Sequence, residues 1–277
     1  MKHVFLNLKR FDVPAKAGGV NRLTSPAEWG SFLVKATQNE LTAFDPAQVE
    51  FVDFFPEAHL IPAAAARQTG SVVQLGCQGV YRENVSAGGN FGAFTSCRPA
   101  AAAAALGCSW ALIGHCEERG EKAGVLAEAG VTDNAAVNRI LNREILCAQA
   151  SGMKVLYCVG EKAEEQADWK GVLGAQLRIG LAGVDLSRVV VAYEPVWSIG
   201  PGKTPADRPY IEKIVRFIKG QVPVDVVYGG GLKSDNAAML ASIPEIDGGL
   251  IALTRFSGEI GFYPEEYLEI IRLYLNA

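Results

Sequence analysis

Several apolar runs in this chain end on polar or glycine-rich residues whose types could do chemistry. Asn7 and Lys9 close the first run, His115 follows a later one, and Glu194 closes another. A carboxylate at the end of a buried strand is well placed to act as a general base. The three consecutive glycines at 229–231 would let backbone N–H groups face an anion. Together these residues predict an acid–base site with an adjacent anion pocket.

The residues after Glu194 predict a loop that can close over the site. Pro195 biases Glu194 toward an extended conformation, so its carboxylate should lie at the strand's end. The loop then carries the bulky apolar Trp197 and ends in Gly-Pro-Gly-Lys at 200–203. A loop with an apolar tip and a hinge-like glycine-rich end is typical of a lid that excludes water from an active site.

The elements that must position these residues recur along the chain as short β-rich runs separated by helical stretches. Both alternating positions of each run are apolar, as in strands that are covered on both faces. The predicted strands span 4–9, 49–55, 72–77, 110–114, 155–159, 189–193, 224–228 and 249–253. The predicted helices span 26–43, 58–69, 99–106, 132–151, 169–181, 204–219, 233–242 and 264–275. Ser25 is the expected N-cap of the first helix, and Asp133 and Gly152 are expected to open and close the fourth.

Eight strand-then-helix units in 277 residues predict a (β/α)8 barrel, α/β in class, as a single domain over 1–277. A doubly wound open sheet uses the same units and is the alternative. The barrel is favoured because no Gly-x-Gly-x-x-Gly follows the first strand. In a barrel, the strand ends that carry Asn7, His115 and Glu194 would meet at one mouth.

Composition narrows the class of protein. With 49% apolar and 20% charged residues, the chain can form a sizeable core. A net charge of −4 offers no basic surface for nucleic acid, and no apolar run approaches the ~18 residues that span a membrane. Six scattered cysteines without a Cys-x-x-Cys pair indicate reduced thiols in the cytoplasm rather than a zinc site. We therefore expect no metal, no cofactor, no nucleic-acid partner and no membrane contact.

The motifs resemble those of the triosephosphate isomerase family over nearly the whole chain and in the same order. The most specific match is the segment 193–203, Tyr-Glu-Pro-Val-Trp-Ser-Ile-Gly-Pro-Gly-Lys, which differs from the family pattern at two positions. In Gly-His-Cys-Glu at 114–117, Cys116 stands where the family has Ser. The other matching segments are 7–9, 92–95, 158–161, 228–231, 236–237 and 247–248.

This resemblance implies a (β/α)8 homodimer that interconverts D-glyceraldehyde 3-phosphate and dihydroxyacetone phosphate in glycolysis and gluconeogenesis. In the family, which is a standard example of pKa tuning and of loop closure, Glu194 would be the base and His115 the electrophile. Lys9 would stabilise the enediolate, Asn7 would hold the substrate, and Glu117 would support them. The implied phosphate-binding residues are Gly200, Gly230, Gly231, Ala252, Leu253 and Arg255. The Thr95 loop would reach across the dimer.

Departures from the family concentrate around the phosphate. Gly231 replaces Ser, and Ala252 and Leu253 replace a Gly-Gly pair whose backbone approaches the anion closely. Arg255 could compensate by a bidentate phosphate contact, or could be a surface residue paired with Glu259. Two alternatives therefore stay open. One is the same chemistry on another small sugar phosphate, and the other is a catalytically idle barrel that binds a ligand.

Further departures affect the lid and the predicted dimer interface. Pro201 replaces Thr in the lid hinge and fixes one φ angle, so the lid is expected to move differently. Ser96 and Cys97 replace Gly-Glu in the Thr95 loop, and Glu118 replaces an Arg, which predicts a rebuilt interface. Cys116 is not expected to be a nucleophile, because residues adjacent in sequence rarely face each other at a helix start.

Overall fold

In the computed structural model, which describes residues 1–199 and 203–276, eight parallel strands alternate with helices. The strands are β1 (Lys2–Asn7), β2 (Val49–Phe55), β3 (Val73–Cys77), β4 (Trp110–Ile113), β5 (Lys154–Val159), β6 (Val189–Tyr193), β7 (Asp225–Tyr228) and β8 (Gly248–Ile251). Each strand pairs with the next, and β8 pairs with β1, which closes the barrel. The predicted (β/α)8 class is therefore confirmed, and the open-sheet alternative is wrong.

Nine α-helices lie in the described residues, outside the barrel wall. They are α1 (Trp29–Leu41), α2 (Glu57–Ala66), α3 (Ala100–Ala105), α4 (Cys116–Glu128), α5 (Asn134–Ala150), α6 (Trp169–Gly180), α7 (Arg208–Gln221), α8 (Ala237–Ala241) and α9 (Pro264–Leu275). None of them is long and apolar enough to cross a membrane. Asp133 caps α5 as predicted, since its side chain accepts a bond from Ala135 N–H, and Gly152 follows that helix with φ 86°. Glu28, rather than the predicted Ser25, precedes α1.

Helix α4 was not among the predicted helices, although it carries part of the site. None of its residues is buried, so it lacks the apolar stripe that marks a core-facing helix in sequence. Gly120 and Gly124 weaken the signal further, because glycine is a poor helix former. The helix is held by polar contacts of Arg119 near its N-terminus, by the Lys122–Glu144 pair, and by the partly buried Ala123 and Leu126, which pack on the core.

Two hydrophobic cores hold the barrel, one between the sheet and the helices and one inside the strands. The inner core consists of Phe5, Val52, Phe54, Trp110, Leu112, Leu156, Cys158, Val190, Ala192, Val227 and Leu250. Side chains alternate across a strand, so Asn7 lies on the same face as Phe5, and Glu194 on the same face as Ala192. Both polar residues thus follow the inner core directly and lie at the carboxyl end of the barrel.

Candidate active site at the barrel mouth

The first functional residues lie where β1 ends. Lys9 has a φ of 40°, in the left-handed region that a non-glycine residue seldom adopts. Its N–H donates to Asn7 Oδ1 at 3.0 Å, and Gln78 Nε2 donates to the Lys9 carbonyl at 3.0 Å. These contacts hold the strained turn, so the Lys9 side chain reaches the mouth and donates from Nζ to Glu117 Oε1 at 2.6 Å.

His115 is the N-cap residue of α4. Its ring Nδ1 accepts a bond from the Glu117 N–H at 3.3 Å, which requires a lone pair on Nδ1 and places the proton of a neutral ring on Nε2. The positive end of the helix dipole faces the ring. Sequence alone could suggest a helix start here, but the tautomer follows from the capping bond.

Arg119 fixes the first turn of α4 against the barrel. Its guanidinium donates to the carbonyl oxygens of Gly114 and Cys158, each at 2.8 Å, and to Tyr157 Oη at 2.9 Å. A planar group with several donors suits this task, because one side chain can bind several acceptors at once. His115 is consequently held from both sides, by its own helix and by β5.

Glu194 is the more buried of the two acids predicted for the site, with 2% of its surface exposed. Its Oε2 accepts the Cys116 N–H at 3.0 Å, and its Oε1 lies 3.1 Å from His115 Nε2 without the alignment of a hydrogen bond. Burial raises the pKa of Glu194 above its ordinary value, while His115, the Cys116 N–H and Lys9 oppose that rise. A β-carbon on Gly229 would lie 2.8 Å from Glu194 Cγ, so only glycine leaves room for this side chain.

Glu117 differs from Glu194 in its electrostatics. Burial alone would raise the pKa of Glu117, but the bond and charge of Lys9, together with His115, lower it below the ordinary value. Glu117 therefore stays ionised as the partner of Lys9, whereas Glu194 has the perturbation expected of a proton acceptor.

The segment after Glu194 is held by a buried carboxylate that the sequence prediction did not assign to the site. Glu161 is fully buried, and its Oε1 accepts bonds from Tyr193 Oη at 2.9 Å, Trp197 Nε1 at 2.8 Å and Tyr210 Oη at 2.9 Å. Trp197 is thus hydrogen-bonded to Glu161, which lies just past the end of β5. The residues predicted as the lid's glycine contact and hinge, Gly200 and Pro201, lie outside the described residues.

On the anion side of the mouth, Lys233 lies across Gly231. Gly231 has a φ of 98°, and a β-carbon there would lie 3.3 Å from Lys233 Cε. The Lys233 ammonium lies 4.1 Å from the centroid of the Phe256 ring, in the loop after β8. Sequence analysis missed Lys233, although its place two residues after the glycine run was a usable signal.

The remaining residues predicted to bind phosphate follow β8. Ala252 and Leu253 lie just past its end and are half-buried. Arg255 Nε donates to Glu266 Oε1 at 2.8 Å, and its guanidinium stacks 3.8 Å from the Tyr263 ring centroid. The alternative pairing of Arg255 with Glu259 is wrong, because Glu259 lies 3.9 Å from Arg22 instead.

A cavity of about 480 Å³ opens beside the proton-transfer groups. It is lined by Asn7, Lys9, Arg10, Phe11, Gly19, Val20, Gln78, Leu112, His115, Glu117 and Glu118. Lys9, His115 and Glu117 lie on its wall, so a small polar molecule in the cavity can reach them. Gly230, Gly231 and Arg255 are not part of this wall.

The fold and the site define the class of protein, a (β/α)8 barrel whose strand ends bring a buried carboxylate, an imidazole and an ammonium together. A family model described as triosephosphate isomerase matches residues 27–272. The chain belongs to the triosephosphate isomerase family.

Individual relatives agree with that assignment. A triosephosphate isomerase of Chlorobium phaeovibrioides is 37% identical over 195 residues, which cover 66% of this chain and 70% of the relative. One of Marinobacter nauticus is 37% identical over 233 residues, covering 78% and 83% respectively. The crystal structure of triosephosphate isomerase from Bartonella henselae superimposes with a TM-score of 0.71 at 21% identity, covering 99% of this chain and 98% of the other, which supports the fold.

Proposed function

We propose that this chain is an aldose–ketose isomerase that interconverts D-glyceraldehyde 3-phosphate and dihydroxyacetone phosphate. The observation that carries the proposal is the buried Glu194 carboxylate 3.1 Å from His115 Nε2, within a family whose members carry this activity in their names. A carboxylate with a raised pKa beside a ring N–H is the pair that moves a proton next to a carbonyl.

In the proposed mechanism, Glu194 removes a proton from the carbon beside the substrate carbonyl. The negative charge that develops on the carbonyl oxygen is stabilised by the N–H of His115 Nε2 and by the Lys9 ammonium. A proton passes from the substrate hydroxyl oxygen to the former carbonyl oxygen by way of His115 Nε2, and Glu194 returns its proton to the neighbouring carbon. These two transfers exchange aldose and ketose without change in overall oxidation state. Asn7 orients the substrate, and Glu117 neutralises Lys9 when the site is empty.

We place the phosphate group of the substrate against Gly230 and Gly231, near Ala252 and Leu253 at the end of β8. By resemblance to the family, Gly200 is a further expected contact. Three of the family's small or hydroxyl-bearing positions are altered here, at Gly231, Ala252 and Leu253, so a cation is the expected replacement. Lys233 fits that role, because its side chain crosses Gly231 where a serine would stand. Arg255 is already neutralised by Glu266, so we assign it to holding the loop after β8. It would lie close to the anion without being the anion's sole contact.

We propose a homodimer in which the Thr95 loop of one copy enters the cavity of the other. The loop projects from the barrel between β3 and α3, and Phe91 at its tip is 88% exposed. Glu118, which replaces a family Arg, accepts the Gly114 N–H at 2.6 Å and pairs with Lys122 at 2.9 Å. The Glu118 carboxylate is thus neutralised by Lys122 of its own chain, without a cation from the other copy. The scattered cysteines of the sequence favour a cytoplasmic location.

The function is tested by measuring isomerisation of both triose phosphates with the purified chain, using Glu194→Gln as the matched control. We expect turnover well above that control in both directions. Rates equal to the control would contradict the proposal. A panel of tetrose and pentose phosphates would then separate an isomerase of another substrate, which turns one of them over, from an idle barrel, which turns over none.

The oligomeric state is tested by light scattering after gel filtration, with Phe91→Ser beside the unaltered chain. We expect a dimer of the 29.5 kDa chain that weakens in the variant. A chain that stays monomeric at high micromolar concentration would contradict the interface.

A further inference from the structure

Three side chains that prefer soft or borderline metal ions meet at the base of the active site. One ligand atom each of His115, Cys116 and Glu194 lies within 4.8 Å of the other two, and this is the one such group of three found in the described residues. Cys116 Sγ lies 3.7 Å from His115 Nδ1, and His115 Nε2 lies 3.1 Å from Glu194 Oε1. Thiolate, imidazole and carboxylate are the usual ligands of Zn²⁺ in proteins.

A second observation points to a ligand at this place. Glu194 is almost fully buried, yet its Oε1 has no hydrogen-bond partner, so a carboxylate lone pair is aimed into the group unused. Buried polar atoms are seldom left in this state, because an unsatisfied acceptor destabilises the fold. Glu194 Oε1 lies beside the imidazole and the thiol, where a bound cation would be its missing partner.

The ligand spacing is compatible with a metal ion after small side-chain movements. Zn–S bonds of ~2.3 Å and Zn–N or Zn–O bonds of ~2.0 Å place tetrahedral ligand atoms about 3.3–3.6 Å apart. The 3.1 Å between His115 Nε2 and Glu194 Oε1 lies just below this range, and rotation of the Cys116 side chain would move Sγ, which lies 3.7 Å from Nδ1, toward Nε2. The adjoining cavity, which His115 also lines, supplies water for the fourth position.

We propose that His115, Cys116 and Glu194 form an inhibitory site for a thiophilic divalent cation such as Zn²⁺ or Cd²⁺. Binding forms one bond from the metal to each of Cys116 Sγ, His115 Nε2 and Glu194 Oε1. The thiol releases its proton to solvent, and the ring proton of His115 moves from Nε2 to Nδ1, which gives up the Glu117 N–H and faces the Glu117 carboxylate 3.6 Å away. The ion occupies the proposed base and the proposed electrophile together, so metal and substrate exclude each other. Cys116, which stands where the family has Ser, makes this sensitivity a property of this chain.

The proposal predicts selectivity among cations. Mg²⁺ prefers oxygen ligands and gains nothing from a thiol, so millimolar Mg²⁺ should leave turnover unchanged. Zn²⁺ and Cd²⁺ should inhibit at far lower concentrations, and inhibition should be competitive with substrate. A chelator should restore full activity.

The direct test uses Co²⁺ as a spectroscopic substitute for Zn²⁺ in the reduced full-length chain. We expect a near-ultraviolet thiolate-to-cobalt band that saturates at one ion per chain. The band should be lost in Cys116→Ser and in Cys116→Ala, and cobalt affinity should fall at least tenfold in Glu194→Gln. Cys147→Ser is the matched control, because Cys147 is also partly exposed and the variant should keep the band.

Inhibition provides the second readout. Relative to each variant's own metal-free rate, Zn²⁺ should be at least tenfold less inhibitory toward Cys116→Ser than toward Cys147→Ser. An unchanged cobalt band in Cys116→Ser, or equal zinc inhibition of both variants, would overturn the proposal. Because the cobalt band does not depend on turnover, it would still decide the metal site if the chain failed to isomerise triose phosphates.

Discussion

The two sides of the barrel mouth are built differently. The proposed proton-transfer side comprises Asn7, Lys9, His115, Glu117 and Glu194. The proposed anion side comprises Gly230, Gly231, Lys233, Ala252, Leu253 and Arg255. On the first side, strand ends and a helix cap fix buried groups through backbone hydrogen bonds. On the second side, half-exposed loop side chains rest on one another, as Lys233 does on Phe256 and Arg255 on Tyr263.

This difference teaches where the chain can change without losing its chemistry. Moving Glu194 or His115 would break bonds to buried backbone groups, so their geometry tolerates little variation. A phosphate needs only positive charge and N–H donors at a suitable distance, and several arrangements can supply them. The motifs of the proposed proton-transfer side match the family except at Cys116, whereas those of the proposed anion side depart from it at Gly231, Ala252 and Leu253.

The largest effect should come from the proposed base. Glu194→Gln removes the proton acceptor but keeps the side-chain shape, so we expect kcat to fall about 10³-fold with a small change in KM. Steady-state kinetics with both triose phosphates give the values, and far-ultraviolet circular dichroism checks the fold. If kcat fell less than tenfold, Glu194 would not be the base, and the roles assigned to the two sides of the mouth would be wrong.

A smaller loss is expected when the imidazole is removed and the helix cap is kept. His115→Asn supplies a good N-cap side chain to α4, so the helix should start at the same place. Without the Nε2–H donor, kcat should fall about 10²-fold. The same rate as the unaltered chain would mean that His115 serves the helix alone. The rates of His115→Asn and Glu194→Gln can be compared if the two substitutions change the thermal stability by similar amounts.

The pH dependence of kcat/KM should reflect the pKa that burial gives to Glu194. Burial raises its pKa, and the base must be ionised to accept a proton, so kcat/KM should fall tenfold per pH unit below that raised pKa. The acid limb should lie above the ordinary range of glutamate and should level off as pH rises. Turnover of D-glyceraldehyde, which lacks a phosphate, is the control. Activity that stays flat down to the ordinary glutamate range would contradict the assignment.

The smallest effects should lie on the anion side. Lys233→Met keeps the side-chain length over Gly231 but removes the charge, so we expect KM to rise about tenfold with kcat nearly unchanged. Arg255→Met should raise KM less than threefold, because Glu266 already neutralises the guanidinium. Lys35→Met, an exposed lysine on α1, is the matched control. The reverse order of the first two effects would assign the phosphate contact to Arg255.

Sequence was informative wherever one local rule decided the outcome. The bounds of β2, β6 and α9 agree with the predicted ranges, because apolar runs and a proline start define them. Helix α4 escaped prediction since none of its side chains is buried. Glu161 also escaped, because its partners Tyr193, Trp197 and Tyr210 are distant in sequence. Lys233 was missed although it lies two residues after the glycine run.

The sequence by itself determined the barrel and the types of group at its mouth, because strand and helix periods and strand-end residues are local properties. The tertiary structure decided how those groups act on one another. Only folding brings Glu194 within 3.1 Å of His115 Nε2, gives its Oε2 the Cys116 N–H, and leaves its Oε1 without a hydrogen bond. Only folding pairs Arg255 with Glu266 and lays Lys233 across Gly231. Burial and charge act through space, so the pKa of Glu194 depends on neighbours that the chain order does not reveal.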